Sequence, residues 1–130
     1  MNKRTHADRS AICLVVEDEP AILRLVSIVL EDLGCETMAA PNAQAALAVL
    51  RDITPDLMIA DVKLPGINGV ELTKQVKSSE SLSTMPVLLM SAYGEPHGHS
   101  GDDFLAKPFD IEGLVEIVAP YIDKHSYKRD

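Results

Sequence analysis

Acidic residues crowd one place in the chain, Glu17-Asp18-Glu19, and a single Asp61, the hydroxyl of Ser91 and the ammonium of Lys107 each follow a separate apolar run. One Asp after such a run is ordinarily a turn former or a helix cap. Four runs that each end in a group able to hold or transfer charge carry more information, because a fold that gathers their ends makes one site. Carboxylates brought together raise one another's pKa unless a cation lies among them. All-oxygen ligation with open positions suits Mg²⁺, which keeps several waters and bridges protein carboxylates to phosphoryl oxygens. Asp18 and Asp61 are the expected direct ligands, and Glu17 a ligand through water. A carboxylate is also a nucleophile toward phosphorus, forming an acyl phosphate, and Asp61 is the expected acceptor. Mg²⁺ and Lys107 would then neutralise the new charge. The Ser91 hydroxyl and backbone N–H groups near Lys63 and Ala92 would hydrogen-bond its oxygens, with the small Ala92 leaving the entrance open.

Such a site requires strands that deliver their ends to one edge. Ala11 to Val16 is a short continuous apolar run, as expected of a strand buried on both faces. Pro20 opens a helical stripe through Ile22, Val26, Val29 and Leu33, which Gly34 can end in a left-handed cap. Cys35 to Ala39 reads as a second strand, and Asn42 caps a helix through Leu50. Leu57 to Ala60 leads to Asp61, and the turn-forming Pro65-Gly66-Ile67-Asn68-Gly69 precedes a third helix carrying Val70, Leu72, Thr73 and Val76. Pro86 to Met90 delivers Ser91, and Asp103 to Ala106 delivers Lys107. Asp110 then caps a last helix with Leu114, Val115, Val118 and Ile122 inward and Pro120 near its end. Five strands interleaved with helices predict a doubly wound α/β domain with a parallel sheet, whose ligands bind beyond the carboxyl ends of the strands.

With 130 residues and 46% hydrophobic content the chain is expected to build one core, over 11–123, between an extension at 1–10 and a tail at 124–130. No apolar run approaches the roughly 20 residues of a bilayer span, and no cleavable apolar leader is evident, so a cytoplasmic protein without membrane partners is expected. The net charge of −8, with basic residues clustered only in Lys124 to Arg129, argues against direct binding to nucleic acid. Cys13 and Cys35 lie within apolar stretches and are expected to be buried free thiols.

On these motifs the sequence resembles the receiver domains of two-component response regulators, across Ala11 to Ile122. Val16-Glu17-Asp18-Glu19 is similar to the acidic motif after the first strand, Asp61-Val62-Lys63-Leu64-Pro65-Gly66 with Gly69 to the phosphoacceptor loop, and Ala106-Lys107-Pro108-Phe109 to the lysine motif. The resemblance implies Asp61 as phosphoacceptor, Asp18 as metal ligand with the Lys63 main-chain carbonyl as a third protein ligand, Ser91 as the switch hydroxyl and Phe104 as the switch aromatic. It also implies a flavodoxin-like five-stranded sheet in the order 2-1-3-4-5 with five helices, and a cis Lys107-Pro108 bond. Ser91 would move toward the phosphoryl group and Phe104 would turn inward, altering the surface near the fourth and fifth strands.

One stretch departs from the family pattern. Between Ser91 and Lys107 the sequence must hold a loop, a helix and a strand, yet Gly94-Glu95-Pro96-His97-Gly98-His99-Ser100-Gly101 has three glycines and a proline and almost no apolar period. A shortened or missing fourth helix is predicted, and His97 and His99 are read as loop residues rather than metal ligands. The expected function is phosphorelay signalling: acceptance of a phosphoryl group from a histidine kinase or phosphotransfer protein, by a protein that assists its own chemistry without being a classical enzyme. With no output domain read in the sequence, the chain is expected to be an adaptor, a shuttle, a phosphate sink or a fragment of a longer regulator, and a monomer or weak dimer. The alternatives are a pseudo-receiver that binds a partner without phosphorylation, and an aspartyl-phosphate phosphatase. The phosphatase reading is disfavoured because Lys63 stands where such enzymes usually have a second Asp. A flavin-binding variant is disfavoured because Glu17-Asp18-Glu19 would repel a cofactor phosphate.

Overall fold

The computed structural model describes residues 10–127, with side chains over 10–122. The extension before residue 10 and the last three residues of the chain lie outside the described residues. The elements follow in the order β1 (Ile12–Val16), α1 (Pro20–Asp32), β2 (Glu36–Ala40), α2 (Ala43–Asp52), β3 (Leu57–Asp61), α3 (Gly69–Ser78), β4 (Val87–Ser91), β5 (Asp103–Ala106) and α4 (Ile111–Tyr127). All strand pairs are parallel and the sheet order is β2-β1-β3-β4-β5.

The alternation of side chains along each strand divides the interior into two cores. Leu14, Val16, Met58, Ala60 and Leu89 face α2 and α3, packing on Ala46, Leu50, Leu72 and Val76. Cys13, Val15, Leu57, Ile59, Leu88 and Met90 face α1 and α4, packing on Val26, Leu30, Leu114 and Val118. Burial on both faces explains why the central strands read as unbroken apolar runs. Cys13 and Cys35 are buried and free as expected. Hydrogen bonding between the two thiols, helped by burial, pushes Cys13 up.

Local chemistry sets the boundaries. Pro20 occupies the first turn of α1, and Gly34 takes φ 93° beyond its end. Cys35 donates its N–H to Leu30 O and so belongs to the helix exit, which starts β2 one residue later than the apolar run suggests. Asn42 and Asn68 cap α2 and α3 by accepting from the N–H groups of Ala45 and Glu71 at 2.7 and 2.9 Å. Asp110 Oδ1 accepts from Gly113 N at 2.7 Å at the start of α4. Pro120 is accommodated inside that helix.

Between β4 and β5 the structure has bends and one turn but no helix, as the glycine-rich segment predicts. Gly94 and Gly98 both take positive φ, at 95° and 69°, a conformation incompatible with a continuing α-helix. Among the described residues four helices therefore surround the sheet where the family pattern has five. The connection is fastened at its far end instead. Asp102 donates its N–H to Val87 O at 2.8 Å, and its Oδ2 accepts from Val87 N at 2.8 Å and from Lys77 Nζ at 2.7 Å. Lys77 also donates to Met85 O at 2.8 Å, so one α3 side chain ties together both approaches to the β4–β5 edge.

The seat of α3 on β3 is unusually close. Gly69 N donates to Val62 O at 2.8 Å, and a Cβ at Gly69 would overlap the main-chain carbonyl oxygen of Asp61 and come within 3.1 Å of Val62 Cα. Gly69→Ala is therefore expected to destabilise the fold by about 1–3 kcal/mol, the usual cost of overpacking a site that cannot yield. Equal urea midpoints for variant and parent would contradict this contact.

Candidate functional site

The carboxyl ends of β1, β3, β4 and β5 meet at one edge. Glu17 leaves β1 fully buried, with its N–H held by Ala40 O, while the next residue, Asp18, is exposed. Asp61 ends the central strand β3 and is 6% exposed. Ser91 ends β4, and Lys107 follows β5 with its N–H donating to Ser91 O at 2.9 Å. The Lys107-Pro108 bond is cis, as expected from the family resemblance.

Lys107 reaches back across the strand ends. Its Nζ donates to Glu17 Oε1 at 2.9 Å and stands 3.3 Å from Asp61 Oδ1 and 3.7 Å from Glu19 Oε1. Glu17 Oε2 accepts from Glu19 N at 3.1 Å, so this buried carboxylate has partners for both oxygens. One oxygen each of Glu17, Asp18 and Asp61 lie within 4.8 Å of one another, close enough to share a cation. It is the one such group of three or more His, Cys, Asp or Glu among the described residues, so His97 and His99 take no part in another.

Three carboxylates, Glu17, Glu19 and Asp61, thus face the Lys107 ammonium, and Asp18 joins the cluster beside them. Burial holds the Glu17 carboxyl above its ordinary range, against the opposing hydrogen bond from Lys107. Burial also raises Asp61, opposed by Lys107 and reinforced by the nearby Asp18 and Glu19 charges. Burial alone would lower Lys107, but Glu17 and then Asp61 outweigh it and the ammonium is held above its usual value. The donor set fits a hard divalent cation: three clustered carboxylates with surplus negative charge and an exposed Asp18 open to solvent. Ser91 is 3% exposed, and its Oγ accepts from Tyr93 N at 3.0 Å.

The cleft above Asp61 is lined by Asp18, Glu19, Lys63, Ala92, Tyr93 and Lys107 among others. Lys63 places its Nζ 5.4 Å from the centre of the Tyr93 ring, a cation–π contact across the mouth. Glu19 and Tyr93 were not singled out as site residues from sequence. Glu19 was legible as the third member of the acidic run, whereas nothing local marks Tyr93, whose place depends on how the β4–β5 connection leaves Ser91. Phe104 is half-buried against the α2/α3 core and opposite Leu89 in the sheet register.

The raised carboxyls make the site a source of instability at neutral pH. Because Asp61 and Glu17 bind protons more readily folded than unfolded, stability rises as pH falls from neutral toward their ordinary values of 3.8 and 4.5. Without divalent metal, Asp61→Asn should melt above the parent at pH 7, and the gap should narrow on acidification. A variant that melts lower at pH 7, or a gap that widens toward pH 4, would contradict the electrostatic account.

Residues 13–119 match the response regulator receiver domain family. The phosphate regulon transcriptional regulatory protein PhoB of Pseudomonas aeruginosa is 36% identical over 108 residues, covering 78% of this chain and 47% of that protein. The chain thus spans about half the length of that curated relative. A putative response regulator from Chloroflexus aurantiacus superposes with a TM-score of 0.82 at 30% identity, over 88% of this chain and 99% of that one. The chemotaxis response regulator CheY4 of Vibrio cholerae gives 0.81 at 28% identity, over 87% and 99%. With the order β2-β1-β3-β4-β5 and the acidic edge facing Lys107, the chain belongs to the response regulator receiver domains of two-component signalling.

Proposed function

We propose that this receiver accepts a phosphoryl group on Asp61 from a phosphohistidine of a histidine kinase or phosphotransfer protein in the cytoplasm. The observation that carries the reading is Asp61 itself: a nearly buried carboxylate at the end of the central strand, with Lys107 Nζ 3.3 Å away and Glu17 and Asp18 close enough to share a cation with it. An Asp61 carboxylate oxygen forms the new P–O bond as the P–N bond of the donor breaks, and the histidine nitrogen departs with the electron pair. Lys107 supplies positive charge to the transferred group, and the exposed cleft gives the donor side chain entry. Asp18, Asp61 and the Lys63 carbonyl would hold Mg²⁺, with Glu17 oriented behind them by Lys107 and the Glu19 N–H. When bound, Mg²⁺ supplies charge neutralisation for the phosphoryl oxygens. The protein assists this transfer once per phosphorylation and is not a turnover enzyme.

Ser91 and Phe104 are the proposed switch pair. Alternation places Leu89 and Ser91 on one face of β4, and the register sets Phe104 beside Leu89 on β5, the part of the sheet left without a helix. Release of the Ser91 hydroxyl from Tyr93 N toward a phosphoryl oxygen leaves room for the half-buried Phe104 to turn inward.

Incubation with Mg²⁺ and a small acyl phosphate should label the wild-type protein with one phosphoryl group, lost in Asp61→Ala. Lys107→Ala should slow labelling roughly 10²-fold, the scale on which one charge-stabilising donor is removed. Undiminished labelling of Asp61→Ala would reject Asp61 as acceptor.

A further inference from the structure

The connection that replaces the fourth helix is closed by a clasp against Phe104. The His99 side chain is only 9% exposed. Its Nδ1 accepts from the Gly101 N–H at 3.0 Å, and its Nε2 lies 2.8 Å from Glu95 Oε2. A ring nitrogen that accepts a hydrogen bond carries no proton, so Nε2–H donates to Glu95 and the two partners fix the tautomer. The imidazole also meets Phe104, with ring centroids 6.5 Å apart and planes inclined by 41°, within the range of favourable aromatic pairs. Gly101 is shaped to this arrangement, since a Cβ there would stand 3.2 Å from His99 Nδ1 and 3.3 Å from Val87 O. Immediately beyond, Asp102 is bound to Val87 and Lys77. The segment is thus anchored to the sheet at one end and shut in its middle by a ring that leans on the proposed switch aromatic.

We propose that His99 is the latch through which phosphorylation is passed to the outer surface, and that residues 95–101 form the surface that changes between the two states. Inward rotation of Phe104 removes the ring against which His99 is packed. The Gly101–His99–Glu95 bonds then open, and the Gly101 amide is released to solvent. The output lies on this loop instead of on a helix. By reciprocity, a protein whose latch is already open gives up less on activation and binds a phosphoryl mimic more tightly. The inference rests on the reading of Asp61 as acceptor and deepens it.

The test uses beryllofluoride with Mg²⁺ on the full chain, followed by NMR. In the wild type, occupancy is read from the Asp61, Val62 and Ser91 amides and the latch from the Gly101 amide exchange rate and the His99 ring ¹⁵N shifts. Occupancy is expected to raise Gly101 exchange and to move Nδ1 and Nε2 away from the values of a fixed tautomer. His99→Ala should expose the Gly101 amide before beryllofluoride is added and tighten its binding about two- to tenfold, the worth of one aromatic contact. Gly101→Ala keeps the imidazole but crowds it, and should shift affinity in the same direction by less, which covers the case in which His99→Ala folds poorly. Full occupancy with unchanged Gly101 exchange and His99 shifts would overturn the latch while leaving Asp61 as acceptor. Unchanged beryllofluoride affinity in both variants would do the same. Failure of the wild type to bind beryllofluoride at all would remove the acceptor reading and the latch with it.

Discussion

The electrostatic bond between Lys107 and the carboxylates of Glu17 and Asp61 is the constraint around which the domain is organised. Glu17 has no exposed surface, and a carboxylate buried so deeply is tolerable only with its lone pairs satisfied and an opposite charge at hand. Lys107 meets both needs, although it comes from the far end of the chain. The bond therefore works only if the first and fifth strands lie in one sheet with their carboxyl ends together. The remaining acidic groups exceed what a single ammonium can offset, and that surplus suits the edge to the proposed metal and phosphoryl group.

The sheet supplies this juxtaposition by ordinary means. Parallel pairing makes every strand run the same way, three crossovers returning over a helix and the β4–β5 crossover over an irregular loop, and so brings all the carboxyl ends to one side. β3 lies centrally, between β1 and β4, and both cores bury its alternate side chains, so Asp61 sits where the backbone has least freedom. Apolar packing on two faces stabilises a fold whose functional edge is electrostatically unfavourable, an arrangement in which the chemistry is sustained by residues that take no part in it.

Much of this was legible in the amino-acid sequence because it depends on local rules. Apolar runs ending in Asp18, Asp61, Ser91 and Lys107 marked the strand ends, Asn42 and Asp110 marked helix starts, and three glycines and a proline between β4 and β5 pointed to a shortened or missing helix there. The pairings that decide the details were not local. Lys77 with Asp102, Lys63 with Tyr93 and His99 with Phe104 each join elements whose separation in space depends on strand register and on the path of an irregular loop. No periodicity encodes such contacts. His99 shows the difference well: its setting in a glycine-rich segment correctly suggested a loop, but only the folded chain reveals that the loop is closed by that ring.

The contact of Gly69 with the Asp61 carbonyl has a mechanical consequence. With α3 flush against the end of β3, the main chain of the proposed acceptor has no room to recoil in that direction if its side chain gains bulk and charge. Toward the edge strand, beyond its register partner Met90, stand Ser91, half-buried Phe104 and a stretch of irregular backbone. The domain is closely packed behind the proposed acceptor and looser toward the β4–β5 connection, and this asymmetry gives strain created at Asp61 a preferred direction of escape.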